Sequence, residues 1–519
     1  MIRYNKLIAA CTEGDEKTIQ KLLHPWLFFI KKPELNPEGG DTTPLISAIT
    51  SQQTDVVELL LTEGANPSLI AGNTTPLMSA ISAGQENLVQ ILIGAGADVN
   101  AAAGGHTAVF KAVVEKQAGI LSKLISAGAD LNASVNHITP LSQAITQQSD
   151  DIAVMLINAG ANVNPETDGA TPLQDAVNAK NHGLIKALLV AGAAVNPVND
   201  SQSLLIAAIE ASDSGIALLL IDGGADVNAT CDGHSPLTLA MEKGLYELVA
   251  PLLNAGATVD FTNPDKETPL AVACRKGEVS TVKLLLKKGA EVNPKNDDQT
   301  SPFFSACLGG QIDIADAIAN AGADMMYKDK NGATALHMAV RGGNGELIER
   351  LVKKGGNINL KDNSGHTPFF LACTNPDIGT ETVEFLVSKR ASIDTKNNEG
   401  ETPLLSAFAV QNWKTVQLLL EKGADIDVVD KEGNSPLSLA ARYGASSIAE
   451  HLLYRGATID SRNKLGHTPF IEAVHAGQTK VAALLKSRGA KTQLNDKDGK
   501  SALEIAREKG FSELASLLG

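Results

Sequence analysis

The sequence predicts an all-α repeat solenoid in which a short helix, a second helix and an extended finger recur from end to end. Three observations carry this prediction. "TPLISAI" at 43, "TPLMSAI" at 75, "TAVFKAV" at 107, "TPLSQAI" at 139, "TPLQDAV" at 171, "SLLIAAI" at 203 and "SPLTLAM" at 235 return every 32 residues. From "TPLAVAC" at 268 to "SALEIAR" at 501 the spacing is 33, apart from one step of 35 between Pro368 and Pro403. Each unit also opens on a helix-capping residue and closes its second helix on glycine. A fixed period of this length marks a stacked array and not a string of globular domains.

The elements follow in order. Thr or Ser caps the first helix, and proline commonly takes its first position, where the missing amide hydrogen costs nothing. The alanine three residues after the Leu or Phe keeps one side of that helix small. A turn leads into a second helix such as "TVKLLLKKG", and Gly289 and its equivalents, followed by Ala, end it where positive φ favours glycine. About ten residues of turn-forming sequence, such as "DVNATCDGHS", then lead to the next cap.

These units resemble ankyrin repeats. The likeness is strongest in "DKNGATALHMAVRGGNGELIERLVKKGGNIN", where Asp329, Gly332, Thr334, Leu336, His337 and Ala339 fall on the family pattern, and it extends over essentially the whole chain. It implies a curved stack of helix pairs with projecting β-hairpin-like fingers, and a protein partner bound on the concave finger and inner-helix surface. There are departures. The motif histidine survives only at His337; Ile46, Met78, Phe110, Ser142, Gln174, Phe304 and Phe370 take its slot elsewhere. Gln52, Lys116, Gln148, Lys180 and Ser212 stand where later turns have Gly244, Gly277, Gly310 or Gly343, so those turns lack glycine's easy access to positive φ.

The array divides into three expected parts. Residues 1–40 form an N-terminal capping half-repeat, 41–262 the acidic repeats of the 32-residue period, and 263–519 the charge-balanced repeats of the 33-residue period, ending in a C-terminal cap. In the first part Pro25 stops a helix and "PWLFFIKKPELNPEGG" replaces a finger. Trp26, Leu27, Phe28 and Phe29 either fold over the end of the stack or dock a partner. Pro251 interrupts an outer helix near the boundary, which predicts a change of curvature at 244–265. The extra residues of "CTNPDIGTE" predict a bulge between the helices of their unit.

Nothing in the sequence points to a reaction. Cys11, Cys274, Cys307 and Cys373 share one apolar slot, and stacked helices lie too far apart for disulfides, so they read as core; Cys231 alone faces the finger side. His106, His234, His366 and His467 each precede a cap in separate fingers, without convergent metal-ligand spacing. No nucleophile elbow, phosphate-binding loop or zinc-protease motif occurs. With repeats tiling the chain, the expectation is a non-enzyme without cofactor or metal.

Charge narrows the partners. Residues 1–260 hold 12 Lys and Arg against 27 Asp and Glu, whereas 261–519 hold 32 of each, and no arginine occurs between Arg3 and Arg275. The net charge of −15 argues against nucleic acid. No signal peptide or membrane span is legible, so the chain reads as cytoplasmic, not inserted in membranes, and monomeric on its own. The helix-end positions that the resemblance assigns to partners are small and polar in the first half. In the second they are Arg275, Lys276, Arg341, Asn375, Arg442, Tyr443, His475 and Lys509, and Arg and Tyr are enriched among hot spots. The expected function is a scaffold, adaptor or inhibitor binding a protein there. The alternatives are a structural component of a cytoskeletal or membrane-protein assembly, and a microbial effector aimed at a host protein.

Overall fold

Thirty-two α-helices and one 3₁₀ turn, with no strand among the described residues, build an all-helical repeat solenoid. The structure, a computed structural model, describes residues 2–25, 33–37, 39–166, 170–196, 203–294 and 301–519. Trp26, Leu27, Phe28 and Phe29 lie outside the described residues. The chain forms two compact units, the first Met1–Cys231 with Asn254–Ala257 and the second Asp232–Leu253 with Thr258–Gly519.

Within each unit the repeats share one plan. The inner helices run seven or eight residues, from Pro44–Thr50 to Leu204–Glu210 in the first unit and from Pro236–Lys243 to Ala502–Glu508 in the second. The expected cap forms: Thr43 Oγ1 accepts the Ile46 amide at 3.1 Å, and Thr75 Oγ1 the Met78 amide at 3.0 Å. Ser203, which lacks a following proline, makes no such bond. The predicted small residue is fully buried at Ala48, Ala80, Ala112, Ala144, Ala273 and Ala407, where it lets neighbouring helices approach. Cys11, Cys274, Cys307 and Cys373 are buried as expected and Cys231 is half-buried. Burial pushes the thiols of Cys11 and Cys274 up to about 12, which suppresses thiolate chemistry there.

The turns resolve the question posed by the missing glycines. Gln52, Lys116, Gln148, Lys180 and Ser212 all adopt φ between 53° and 60°, the same left-handed conformation as Gly84 at 66°. The chain therefore holds each side chain in strain that glycine would avoid, and Gln411, at φ 56°, is a sixth case.

Finger geometry explains the change of period. At the described fingers of the first unit the loop has two residues: Ala103 and His106 exchange backbone hydrogen bonds of 3.1 Å across Gly104 and Gly105, both at positive φ. Val135 and Ile138 do the same across Asn136 and His137. These are the tight turns that need two left-handed residues. At the described fingers from residue 263 onward the loop has three: Asp329 N–H donates to Ala333 O at 2.9 Å, Gly332 N–H donates to Asp329 O at 2.8 Å, and Gly332 carries the positive φ. Asp329 Oδ1 accepts from the Asn331 and Ala333 amides at 2.9 and 2.8 Å, and Asp362, Asn397, Asp430 and Asn463 repeat the arrangement. One loop residue is the difference between 32 and 33. Among the described residues the pairing across a finger stops at isolated bridges, as at Ala71 with Thr74.

Two irregularities have local causes. At Pro251 the outer helix starts as a 3₁₀ turn, Tyr246–Leu248, followed by a shortened helix, Val249–Asn254; proline supplies no amide and its ring crowds the carbonyl four residues back. The two extra residues of "CTNPDIGTE" lie between Pro368–Thr374 and Thr380–Ser388. That loop is anchored by buried Ile378 and by Asn375, whose Oδ1 accepts the Asp377 amide at 2.9 Å.

Replacing Gln148 by glycine is expected to stabilise the protein by about 0.5–1 kcal/mol, the left-handed strain less the entropy glycine adds to the unfolded chain. Urea denaturation followed by circular dichroism reads this as a raised midpoint, with Gly84→Gln moving it the other way.

Candidate functional site

The inner helices of the second unit end in a row of positions six residues beyond the N-terminal proline or its equivalent. The row reads Glu242, Arg275, Leu308, Arg341, Thr374, Ala409, Arg442, His475 and Glu508. Each of its three arginines is tied to an acid of the same unit. Arg275 grips Glu267 through Nε at 3.1 Å and Nη2 at 2.6 Å. Arg341 Nη2 lies 3.4 Å from buried Asp362 in the next finger. Arg442 Nε and Nη2 donate to Glu472 at 3.0 and 3.1 Å, and Nη2 donates also to Asn434 Oδ1 at 3.1 Å. Each of the three arginine side chains stays partly exposed.

The other expected contact residues are distributed around these. Lys276 is exposed at the end of Pro269–Lys276. Asn375 is turned inward, its Nδ2 donating to Val340 O at 2.6 Å, so it links repeats. Tyr443 packs against Trp413 with ring centroids 5.9 Å apart. His475 is exposed, and Lys509 Nζ donates to its carbonyl at 2.8 Å. Arg442 and His475 thus meet in one network, whereas Arg275 and Arg341 belong to separate repeats.

That network is the most developed polar cluster of the second unit. Glu472 occupies an inner-helix slot and is 2 % exposed. Besides the two bonds from Arg442, it accepts from Asn463 Nδ2 at 2.7 Å and from His467 Nδ1 at 3.0 Å. His467 Nε2 faces Asp496 Oδ2 at 3.8 Å, and its ring lies 5.4 Å from that of His475. Burial alone would raise the Glu472 carboxyl, but the hydrogen bonds from His467 and Arg442 outweigh it and hold it down at about 2. Burial, with Lys509 and His467 nearby, keeps the His475 imidazole below its ordinary value. His337 is fully buried and neutral in role: its Nδ1 accepts the Thr334 amide at 3.1 Å, and Nε2 faces His366 O at 3.2 Å.

The arginines are visible in the sequence, but what holds them is not. Glu267, eight positions before Arg275, and Glu472, a charge in an otherwise apolar or small slot, were the available signals. Three apolar side chains that the sequence reading did not single out, Leu308 and Val410 at inner-helix ends and Leu465 at a fingertip, are each at least half exposed. Among the described residues no group of three or more His, Cys, Asp or Glu is placed to hold a metal ion, and no helix is long and apolar enough to cross a membrane.

A family profile described as ankyrin repeats, in sets of three, matches residues 6–103, 69–135, 103–199, 173–263, 239–329, 317–397 and 378–463. No curated protein matches the chain.

Because the folded-state carboxyl of Glu472 lies below its ordinary 4.5, its contribution is present above that value and is lost as pH falls toward about 2. Glu472→Gln is expected to destabilise the C-terminal repeats by about 2–4 kcal/mol at neutral pH. Urea midpoints of variant and wild type should then converge as the pH is lowered through that window.

Proposed function

The chain belongs to the ankyrin-repeat family, whose repeats generally serve as protein–protein interaction modules, and from that premise we propose that it is a non-catalytic scaffold, adaptor or inhibitor. Its main contact runs along the inner-helix ends and fingers of residues 263–519. The observation that carries this reading is the row Arg275, Leu308, Arg341 and Arg442. Its guanidiniums are fixed by Glu267, Asp362 and Glu472, with the exposed Leu308 side chain between the first two. Arginines already held in place lose little freedom when a partner binds, and a mixed charged and apolar surface is typical of hot spots.

The remaining attributes follow from composition. A net charge of −15 disfavours nucleic acid as the ligand. We place the protein in the cytoplasm, where its four buried thiols meet a reducing environment, and take the monomer as the binding form.

The test uses the full-length chain as bait in native extract. Leu308→Asp combined with Arg341→Glu should lower recovery of the bound protein at least about tenfold, since each removes a hot-spot contact of more than 1 kcal/mol. Lys414→Glu, on an exposed outer-helix position, should leave recovery unchanged. Equal recovery by wild type and the double variant would place the contact elsewhere.

A further inference from the structure

Each unit carries one carboxylate in the same inner-helix slot, three residues after the proline: Asp175 after Pro172 in the first and Glu472 after Pro469 in the second. The slot is the same and the surroundings are opposite. Glu472 takes hydrogen bonds from Arg442, His467 and Asn463, and Arg442 is steadied by Asn434. In the register of Asp175 the position of Arg442 is Thr146, that of Asn434 is Ile138, and that of His467 is Ala170, while that of Asn463, Thr167, lies outside the described residues. None of the three reaches it. Thr146 donates its hydroxyl to Ser142 O at 2.8 Å, and Ile138 is an exposed apolar side chain.

The Asp175 carboxylate therefore has neither hydrogen bond nor ion pair among the described residues, although it is half-buried. Burial pushes it up to about 6, with no compensating cation nearby. The only cation in the same row of the first unit is Lys111, two repeats away and 3.9 Å from its own Glu115. The wider field has the same sign, since residues 1–260 hold 27 acidic against 12 basic side chains.

We propose that the inner face of the first unit around Asp175 receives a cationic side chain of a protein partner, an arginine above all, seated as Arg442 is seated against Glu472. The chain itself supplies the template for the missing group. A guanidinium entering over Thr146 meets a carboxylate that has no partner among the described residues. Charge complementarity selects the occupant, because an anionic segment would meet an uncompensated carboxylate in an acidic unit. This surface is separate from the row between Arg275 and Lys509 and stands or falls independently of it. With both occupied, the protein would bridge a basic segment on one unit and a second partner on the other.

The experiment titrates the full-length chain calorimetrically with an acetylated, amidated hexa-arginine peptide at low and at about 150 mM salt, so that diffuse attraction is screened. Wild type should show a saturable site at the higher salt, weakened about tenfold or more by Asp175→Asn. Thr146→Arg, which supplies the guanidinium from within, should close the site. Asp151→Asn, at an exposed outer-helix position, should change nothing. Asp175→Asn should also raise the melting temperature, because it removes a half-buried charge with no partner among the described residues, so lost binding would not reflect unfolding. Wild-type affinity in Asp175→Asn or Thr146→Arg, or equal weakening by Asp151→Asn, would show that the peptide reads only net charge and would overturn the assignment.

Discussion

The structure depends on a side-chain oxygen that links one repeat to the next at most steps of the array. After the Gly-Ala that ends an outer helix, the next residue closes a small turn and the residue two further on reaches the following repeat. Asp130 Oδ1 accepts the Asn132 amide at 2.9 Å, and Asn132 Oδ1 then accepts the Asn162 amide of the next repeat at 2.7 Å. Asn162 and Asn164 continue it to Ala194 at 2.9 and 2.7 Å. In the second unit Asn293 holds the Asp324 amide at 3.0 Å and Asn359 holds that of Ser392 at 2.9 Å. Apolar burial drives the stacking of helices but is indifferent to small slips. The bonded amides fix where each finger begins, and so align the inner-helix slots from repeat to repeat. Met326, at the same position, has no oxygen to offer, and its side chain lies exposed.

Much of this order was legible in the sequence because it repeats. Caps, buried alanines, terminal glycines and core cysteines each obey a local rule, and repetition in register turned weak signals into a strong one. The period change was visible as a number, but its cause was not. A two-residue turn as at Gly104 and Gly105 and a three-residue turn as at Asp329 differ in backbone dihedrals, which spacing alone does not reveal. The turns at Gln52 and Lys116 show the converse. Residue preference leaves their geometry open, and the surrounding packing imposes positive φ all the same.

The geometry of the proposed contact surface was only partly legible. Arginines at helix ends stand out in a sequence that otherwise lacks them early on, but an ion pair between Arg442 and Glu472 spans 30 residues and needs the stacking register to be seen. The same register gives the contrast between Glu472 and Asp175 its meaning. One fold offers one slot to both carboxylates; the second unit fills it from within and the first leaves it open. Differences in finger length and in charge also separate the units, so the array presents two chemically distinct surfaces on a common scaffold.

The central claim is that the finger oxygens hold the repeats in register, and hydrogen exchange at a single amide tests it most directly. In Asn132→Ala the Asn162 amide loses its acceptor, so its exchange should quicken by about tenfold or more, equivalent to the loss of roughly one hydrogen bond, with protection two repeats away unchanged. Unaltered exchange at Asn162 would contradict the account and leave helix packing alone as the source of register.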